Sequence, residues 1–461
     1  MLYVLYALKG SRVKIIILGA GPCGLGAACQ LQMTGHSDWR LYEGNSRVGG
    51  LSASFLDGQG FTWDIGGHVL FSHYDFFDRV VSDALGDAWY EHQRESWVRI
   101  MQRWVPYPFQ NNIRHLPDEA LRECIAGLRS LKGSPDTAVT FREWLDSVFG
   151  SGIVRLFMEP YNRKVWGTPL ESMDKGWIAE RVSVVDLARI ERNITEGRDD
   201  LSWGPNNTFR FPRRGGTGAI YEAIADRFRD RICLNHEMTA VDTGAKQVRF
   251  ADGRTESYDV LISTVPLDRL VLSCSTAPEQ VRQAAGRLVH NSGLIVGAGF
   301  DTARNDTRCW MYFPEDTGPF YRVTNFHNYS PYNVPGGDRD NFSSLMCETT
   351  YSPHKPEDRD TIVERTVQGL VDSGMIDEST RKRVVSRFLI DIPYSYPVPA
   401  LGRDRALDII QPWLESASVY SRGRFGSWKY EVGNMDHSFM QGVEVVERIL
   451  NGSHEPTING R

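Results

Sequence analysis

The sequence has no Cys-x-x-Cys pair, no excess of positive charge, no long apolar run and no internal repeat. Seven cysteines are scattered at Cys23, Cys29, Cys124, Cys233, Cys274, Cys309 and Cys347. An odd, dispersed set builds neither a disulfide framework nor a zinc site, so reduced thiols in a cytoplasmic protein are expected, with no metal. The net charge is −6. A protein that lives on a phosphate backbone usually carries a basic bias, which argues against nucleic acid as the main partner. The apolar start, residues 1–11, is too short and too poorly flanked for a signal peptide or a membrane span, so it reads as an incidental extension and no membrane association is expected. With 461 residues, 41% of them hydrophobic and 24% charged, the chain can fill two or three domains and is too apolar for disorder.

What is present is concentrated first in residues 13–50. Val13, Ile15, Ile16, Ile17 and Leu18 make a short β-branched run that predicts a buried strand. It runs into Gly19-Ala20-Gly21-Pro22-Cys23-Gly24, the spacing G-x-G-x-x-G. A helix is predicted over 24–34, and a second apolar step ends at Glu43. Strand, glycine turn, helix and an acid about twenty residues on make a dinucleotide-binding βαβ unit. Small residues let the backbone approach a pyrophosphate, the helix N-terminus offers free N–H groups, and Glu43 can accept from ribose hydroxyls. Gly19, Gly21, Pro22, Gly24 and Glu43 are therefore candidate cofactor contacts. The pattern leaves open which dinucleotide is bound. A second glycine pair, Gly49-Gly50 before Leu51, lets a loop lie against the same ligand, and Gly66-Gly67-His68 places backbone close to a flat one.

From 75 to about 200 the pattern is mostly helical, with two interruptions. Residues 104–112 form an aromatic, proline-stiffened loop with amides, and residues 160–167 mix aromatics with cations. Such loops can stack on bases and pair with phosphates. A linker follows at 203–211, then a helix at 219–228, a hairpin signal at Asp252-Gly253 and a buried strand at 258–266. Strand-like runs dominate from 294 to about 389, predicting a mostly antiparallel sheet with a helix at 361–372 packed on it. Near the end, residues 433–438 open a helix that runs to Leu450, a second N-terminus whose positive charge can face a ligand.

These stretches together resemble the UDP-galactopyranose mutases, specifically their eukaryotic-type branch. The resemblance covers about residues 13–452. It rests on long motifs: Gly66-Gly67-His68-Val69, Val105-Pro106-Tyr107-Pro108-Phe109-Gln110-Asn111-Asn112, Pro160-Tyr161-Asn162 with Lys164-Val165-Trp166, Arg181-Val182, Trp203-Gly204-Pro205-Asn206, Tyr312-Phe313-Pro314-Glu315-Asp316, and Ser421-Arg422-Gly423-Arg424-Phe425-Gly426-Ser427-Trp428. The chain is shorter than the fungal members around 333–341 and at the C-terminus, which bears on assembly, so a homo-oligomer is left open.

The resemblance implies an α/β fold: a Rossmann-like FAD-binding domain with an inserted helical domain and an antiparallel β-sheet domain. Residues 12–80, 205–265 and 395–455 would form the FAD-binding domain, 81–204 the helical cover and 266–394 the sheet. It implies interconversion of UDP-galactopyranose and UDP-galactofuranose on reduced FAD, with NADPH as reductant. In that scheme flavin N5 attacks the anomeric carbon, UDP leaves, and an iminium-linked, ring-opened sugar recloses. Arg181 and Arg322, with Tyr396 and Tyr430, resemble the pyrophosphate clamp. Tyr107, Phe109, Gln110, Phe157 and Asn162 resemble the uridine pocket, and Trp166, Asn206, Trp310 and Tyr312 groups around the UDP-sugar. Arg94 and Arg424 fall near the flavin and the substrate mouth, His68 by the flavin ring. Asn434 and Ser438 open the C-terminal helix toward the flavin. The alternative from a neighbouring class is a flavin amine oxidase or a protoporphyrinogen-oxidase-like dehydrogenase, which buries an apolar or amine substrate and has no paired-arginine clamp.

Overall fold

The computed structural model describes residues 13–459 apart from 133, 179–181 and 202–206. Its centre is a five-stranded parallel sheet in the order Val419–Ser421, Val260–Ser263, Ile15–Leu18, Trp39–Tyr42, Ile232–Cys233. Ile15–Leu18 is buried throughout, as a strand covered on both faces must be. Its alternating side chains feed two different cores. Ile15 and Ile17 pack with Leu25, Ile220, Phe439 and Val443, under the helices Pro22–Met33, Gly218–Ala225 and Met435–Asn451. Ile16 and Leu18 pack with Leu261, Leu267, Val281 and Leu407, under Leu267–Ser273, Glu279–Ala285 and Arg403–Ser416.

The opening helix starts at Pro22, two residues before the predicted start at 24. Proline is accepted there because the first N–H of a helix has no partner to lose. This helix lies directly on Met435–Asn451. A Cβ on Gly26 would fall 2.1 Å from the Phe439 carbonyl oxygen, and one on Gly442 would fall 1.9 Å from that of Cys23.

The second layer is a seven-stranded sheet in the order Val384–Pro397, His290–Phe300, Ser343–Tyr351, Arg322–Asn325, Trp310–Tyr312, Ser96–Ile100, Arg103–Pro106. It is antiparallel except where Trp310–Tyr312 meets Ser96–Ile100. Those last two strands fall in the stretch that the sequence pattern gives as mostly helical. Their turn, Met101 and Gln102, carries positive φ values of 48° and 57° without a glycine to announce it. Their pairing partner lies about two hundred residues away in the chain. A helical lobe, chiefly Asp118–Arg129, Phe141–Ile153 and Glu159–Trp166, packs around its own core of Phe109, Leu145, Phe149 and Phe157. Thr140 and Glu143 close a capping box at the start of Phe141–Ile153. Among the described residues, no helix is long and apolar enough to cross a membrane.

Candidate active site

A cavity of about 500 Å³ opens past the C-terminal ends of four parallel strands, at Gly19, Glu43, Thr264 and Gly423. That edge is where open α/β sheets bind ligands. The glycine turn is shaped by contact. Gly19 has φ +98°, and a Cβ there would meet Thr264 Oγ1 at 2.1 Å. Gly50 has φ +53°, and its Cβ would fall 3.0 Å from Gly21 Cα, so the two glycine loops lie against each other. The Gly49 N–H donates to the Ala20 carbonyl at 2.8 Å. Glu43 is buried; its Oε2 accepts from the Ala20 N–H at 2.7 Å, and its Oε1 from the Asn45 N–H at 2.8 Å and Asn45 Nδ2 at 2.7 Å. The cradle is thus held from both sides by backbone.

The other end of the cavity is lined by Ile65, His68, Arg424, Gly433, Met435 and Ser438. Here the helix Met435–Asn451 begins, and its N-cap, Asn434, does not cap the first turn through its side chain. In its first turn, Asp436 accepts from the His73 N–H at 3.2 Å and His73 Nδ1 at 2.8 Å. His73, Asp436 and His437 have side-chain atoms within 4.8 Å of one another. Burial, with the cations of Arg424 and Arg322 and against the anion of Glu348, pushes His68 down to about 4. It is therefore neutral near neutral pH, and its Nδ1 is buried with no hydrogen-bond partner among the described residues.

Beside His68 stands an arginine–carboxylate fork. Arg322 Nε lies 2.6 Å from Glu348 Oε1 and NH2 lies 2.7 Å from Oε2. The Tyr321 hydroxyl donates to Oε2 at 2.9 Å, and the Gly67 N–H to Oε1 at 3.0 Å. Burial raises the Glu348 carboxyl, but Arg322 and these donors outweigh it and hold the group below its ordinary range. Arg424 donates to the carbonyls of Gly433 at 2.8 Å and Ser395 at 3.2 Å, with its guanidinium 5.3 Å from the Tyr396 ring centre.

An aromatic wall continues from there. Tyr312 lies 4.9 Å from Tyr107 and 5.3 Å from Tyr161, and Tyr161 is stacked 5.2 Å from Phe157. Phe157 lies 4.7 Å from Phe109. Trp166 stands edge-on to Tyr430 at 4.9 Å and lies 6.0 Å from Tyr396. Trp310 Nε1 donates to the Tyr312 hydroxyl at 2.7 Å. Gln110 is buried; its Nε2 donates to the Ser183 carbonyl at 2.6 Å, while Oε1 has no partner among the described residues. Asn162 Nδ2 donates to the Met158 carbonyl at 2.7 Å, one turn back on its own helix. A second depression of about 790 Å³ takes in Arg94, Ser96, Tyr107, Arg189 and Asn207.

The residues expected from sequence divide accordingly. Gly19, Gly21, Pro22, Glu43, Gly50, Leu51, His68, Arg424 and Ser438 line the first cavity. Gly24 backs the turn. Gly66 and Gly67 bring the backbone of their loop against Glu348. Tyr107, Tyr312, Arg322, Tyr396, Tyr430 and Trp166 belong to the wall beside it, while Phe109 and Phe157 sit in the helical lobe's core. Arg181 and Asn206 lie outside the described residues. The sequence singles out Phe320-Tyr321-Arg322 as aromatics and an arginine on a strand, but gives no site role to Tyr321 or Glu348. An acid in the middle of the otherwise neutral, buried strand Ser343–Tyr351 was the available signal.

A family model described as flavin containing amine oxidoreductase matches residues 22–450. Among solved structures, one described as reduced UDP-galactopyranose mutase is 46% identical, with a TM-score of 0.94, covering 97% of this chain and 96% of that one. A putative protoporphyrinogen oxidase from Exiguobacterium sp. is 15% identical at a TM-score of 0.73, covering 96% of this chain and 100% of that one, and shares the fold. Among curated proteins, a putative flavin-containing monoamine oxidase of Mycobacterium tuberculosis is 27% identical over 281 residues, 56% of this chain and 58% of that protein. A zeta-carotene desaturase of Zea mays is 35% identical over 79 residues, 17% of this chain and 14% of that protein. The chain thus spans less than two thirds of the length of either curated relative.

Proposed function

The chain belongs to the UDP-galactopyranose mutase family within the flavin containing amine oxidoreductases, and from that premise we propose that it interconverts UDP-galactopyranose and UDP-galactofuranose on bound, reduced FAD. The observation that carries this reading over an amine oxidase is the wall beside His68. Two guanidiniums, Arg322 and Arg424, and the ring of Tyr396 converge there. A pocket for an apolar amine has no use for two cations; the pyrophosphate of a nucleotide sugar does.

The cavity suits a flavin dinucleotide. The Gly19–Gly24 turn admits no Cβ at Gly19 or Gly24, which leaves backbone facing a pyrophosphate. Glu43 keeps lone pairs for ribose hydroxyls beyond those given to Ala20 and Asn45. When bound and reduced, the flavin supplies the nucleophile for the anomeric carbon. The chain's own residues then manage charge and position. Arg322 and Arg424 offset the negative charge that builds on departing UDP. Burial raises the Tyr396 phenol, which keeps it a proton-bearing donor to that group, and Tyr430 stands 5.5 Å from it. Gln110 Oε1 offers an acceptor to the uracil N–H, with Tyr107 and Tyr161 as stacking faces. Arg181 and Asn206 join this set by resemblance. Neutral His68 adds no cation against the flavin.

NADPH is the proposed reductant, approaching from the substrate side, where Arg94 and Tyr107 border the second depression. A cytoplasmic setting accords with cysteines that are all unpaired.

The test is an assay of dithionite-reduced protein with UDP-galactopyranose, watching for a second UDP-sugar by chromatography. Product only after reduction supports the proposal. Equal turnover with oxidised flavin, or peroxide release from amines with no UDP-sugar product, sinks it.

A further inference from the structure

One carboxylate serves both sides of this site. Glu348 is cross-strand partner to Arg322, which in turn is partner to Tyr312. The backbone register therefore sets the three side chains in a row on one face of the sheet. The Glu348 side chain is 4% exposed, while that of Arg322 is 22% exposed. Its two oxygens take four donors: Arg322 Nε and NH2, the Tyr321 hydroxyl and the Gly67 N–H. Gly67 can reach it because it is glycine; a Cβ would fall 3.1 Å from Thr324 Oγ1 and 3.3 Å from Glu348 Oε1. The next residue is His68, which lines the flavin cavity.

We propose that Glu348 is a positioning residue that links the phosphate side of the site to the flavin side, by sharing its carboxylate between Arg322 and the Gly66–His68 loop. This rests on the mutase reading. Arg322 NH1 makes no hydrogen bond to a described residue, so it is the group left for a diphosphate. A diphosphate there becomes a second anion on one guanidinium. The pull on Arg322 lessens its hold on Glu348. A buried carboxylate does not stay under-paired, so its bonds to Gly67 and Tyr321 tighten or rearrange. The loop beside the flavin thereby senses the phosphate. Linkage makes the effect reciprocal: the redox state of the flavin must alter UDP affinity by the same factor as UDP alters the flavin's redox equilibrium.

A fold staple and a coupling residue predict different things. The holoprotein is titrated with UDP in oxidised and reduced states, and the flavin midpoint potential is measured with and without saturating UDP. Wild type is expected to show several-fold different UDP affinities in the two states. Glu348→Gln removes the competing anion while keeping the shape. It is expected to bind UDP about tenfold tighter and to lose most of the redox dependence, whereas a staple would only weaken UDP and FAD binding together. Equal UDP affinity of wild type in both states overturns the inference, as does redox dependence of full size in Glu348→Gln. If that variant fails to hold FAD, Glu348→Asp decides. It keeps the charge but shortens the reach, and undiminished coupling in it also overturns the inference. No UDP binding by wild type in either state fails the mutase reading and takes this inference with it; UDP binding without coupling fails the inference alone.

Discussion

A Cβ placed on Gly24 would lie 1.8 Å from the carbonyl oxygen of Gly19. The glycine turn is thus closed by a contact between the first and third glycines of its own motif, with Gly21 between them left facing the cavity. Gly24→Ala must push the helix Pro22–Met33 off the turn, and Gly442 on the neighbouring helix leaves no slack behind it. We expect that variant to purify with less than a tenth of the wild-type flavin absorbance. Full FAD content would mean that the turn yields more than its packing allows.

Arg322→Ala should lower turnover about a hundredfold to a thousandfold, since a donor aimed at developing charge contributes roughly 3–4 kcal/mol. It also leaves the Glu348 carboxylate buried without its cation, a cost of about 3–5 kcal/mol in stability. Flavin content and melting temperature therefore have to be measured beside turnover. Arg322→Lys, which returns the charge without the fork, should recover much of the stability and little of the turnover. Near-normal turnover in the alanine variant would remove Arg322 from the clamp.

Gln110 tests the proposed uridine end separately. Its Oε1 is a buried acceptor without a partner among the described residues. Gln110→Leu is expected to raise KM for the UDP-sugar about tenfold, the equivalent of roughly 1.4 kcal/mol, with kcat within a factor of three. A fall in kcat with unchanged KM would place the residue elsewhere in the reaction.

Acid should destabilise the fold in a defined window. Burial pushes His327 down to about 4, and burial with nearby arginines does the same to His68. The unfolded chain takes up protons near the ordinary histidine value of about 6.5, so stability is full above that and is lost as pH falls toward 4. His327 is 1% exposed, and this alone accounts for up to about 3 kcal/mol. Asp64 works the other way, because burial raises it to about 6. A melting series from pH 7 to pH 4.5 should fall for wild type and fall less steeply for His327→Asn, with the His68 share remaining. An unchanged slope in that variant would assign the acid sensitivity elsewhere.

The sequence by itself determined the opening βαβ unit, because everything in it is local. A β-branched run, small residues at fixed spacing and an acid at the right distance act on one another within thirty residues of chain. It also determined that an antiparallel sheet follows and that a helix closes the chain. The aromatic and cationic loops were visible as motifs, and their assignment to a UDP-sugar came from resemblance. Only the tertiary structure decided which groups share a partner. Residues 96–103 read as part of a mostly helical stretch, and 104–106 as the start of a loop, until Trp310–Tyr312 offers Ser96–Ile100 an edge to pair with and Arg103–Pro106 folds back on it. Glu348 reads as an isolated acid until register sets it opposite Arg322, and folding brings Gly67 against it from 281 residues away. Hydrogen bonds of that separation leave no periodic trace in a sequence. They are fixed by the sheet's register and by the absence of a side chain at Gly67, and both appear only when the layers meet.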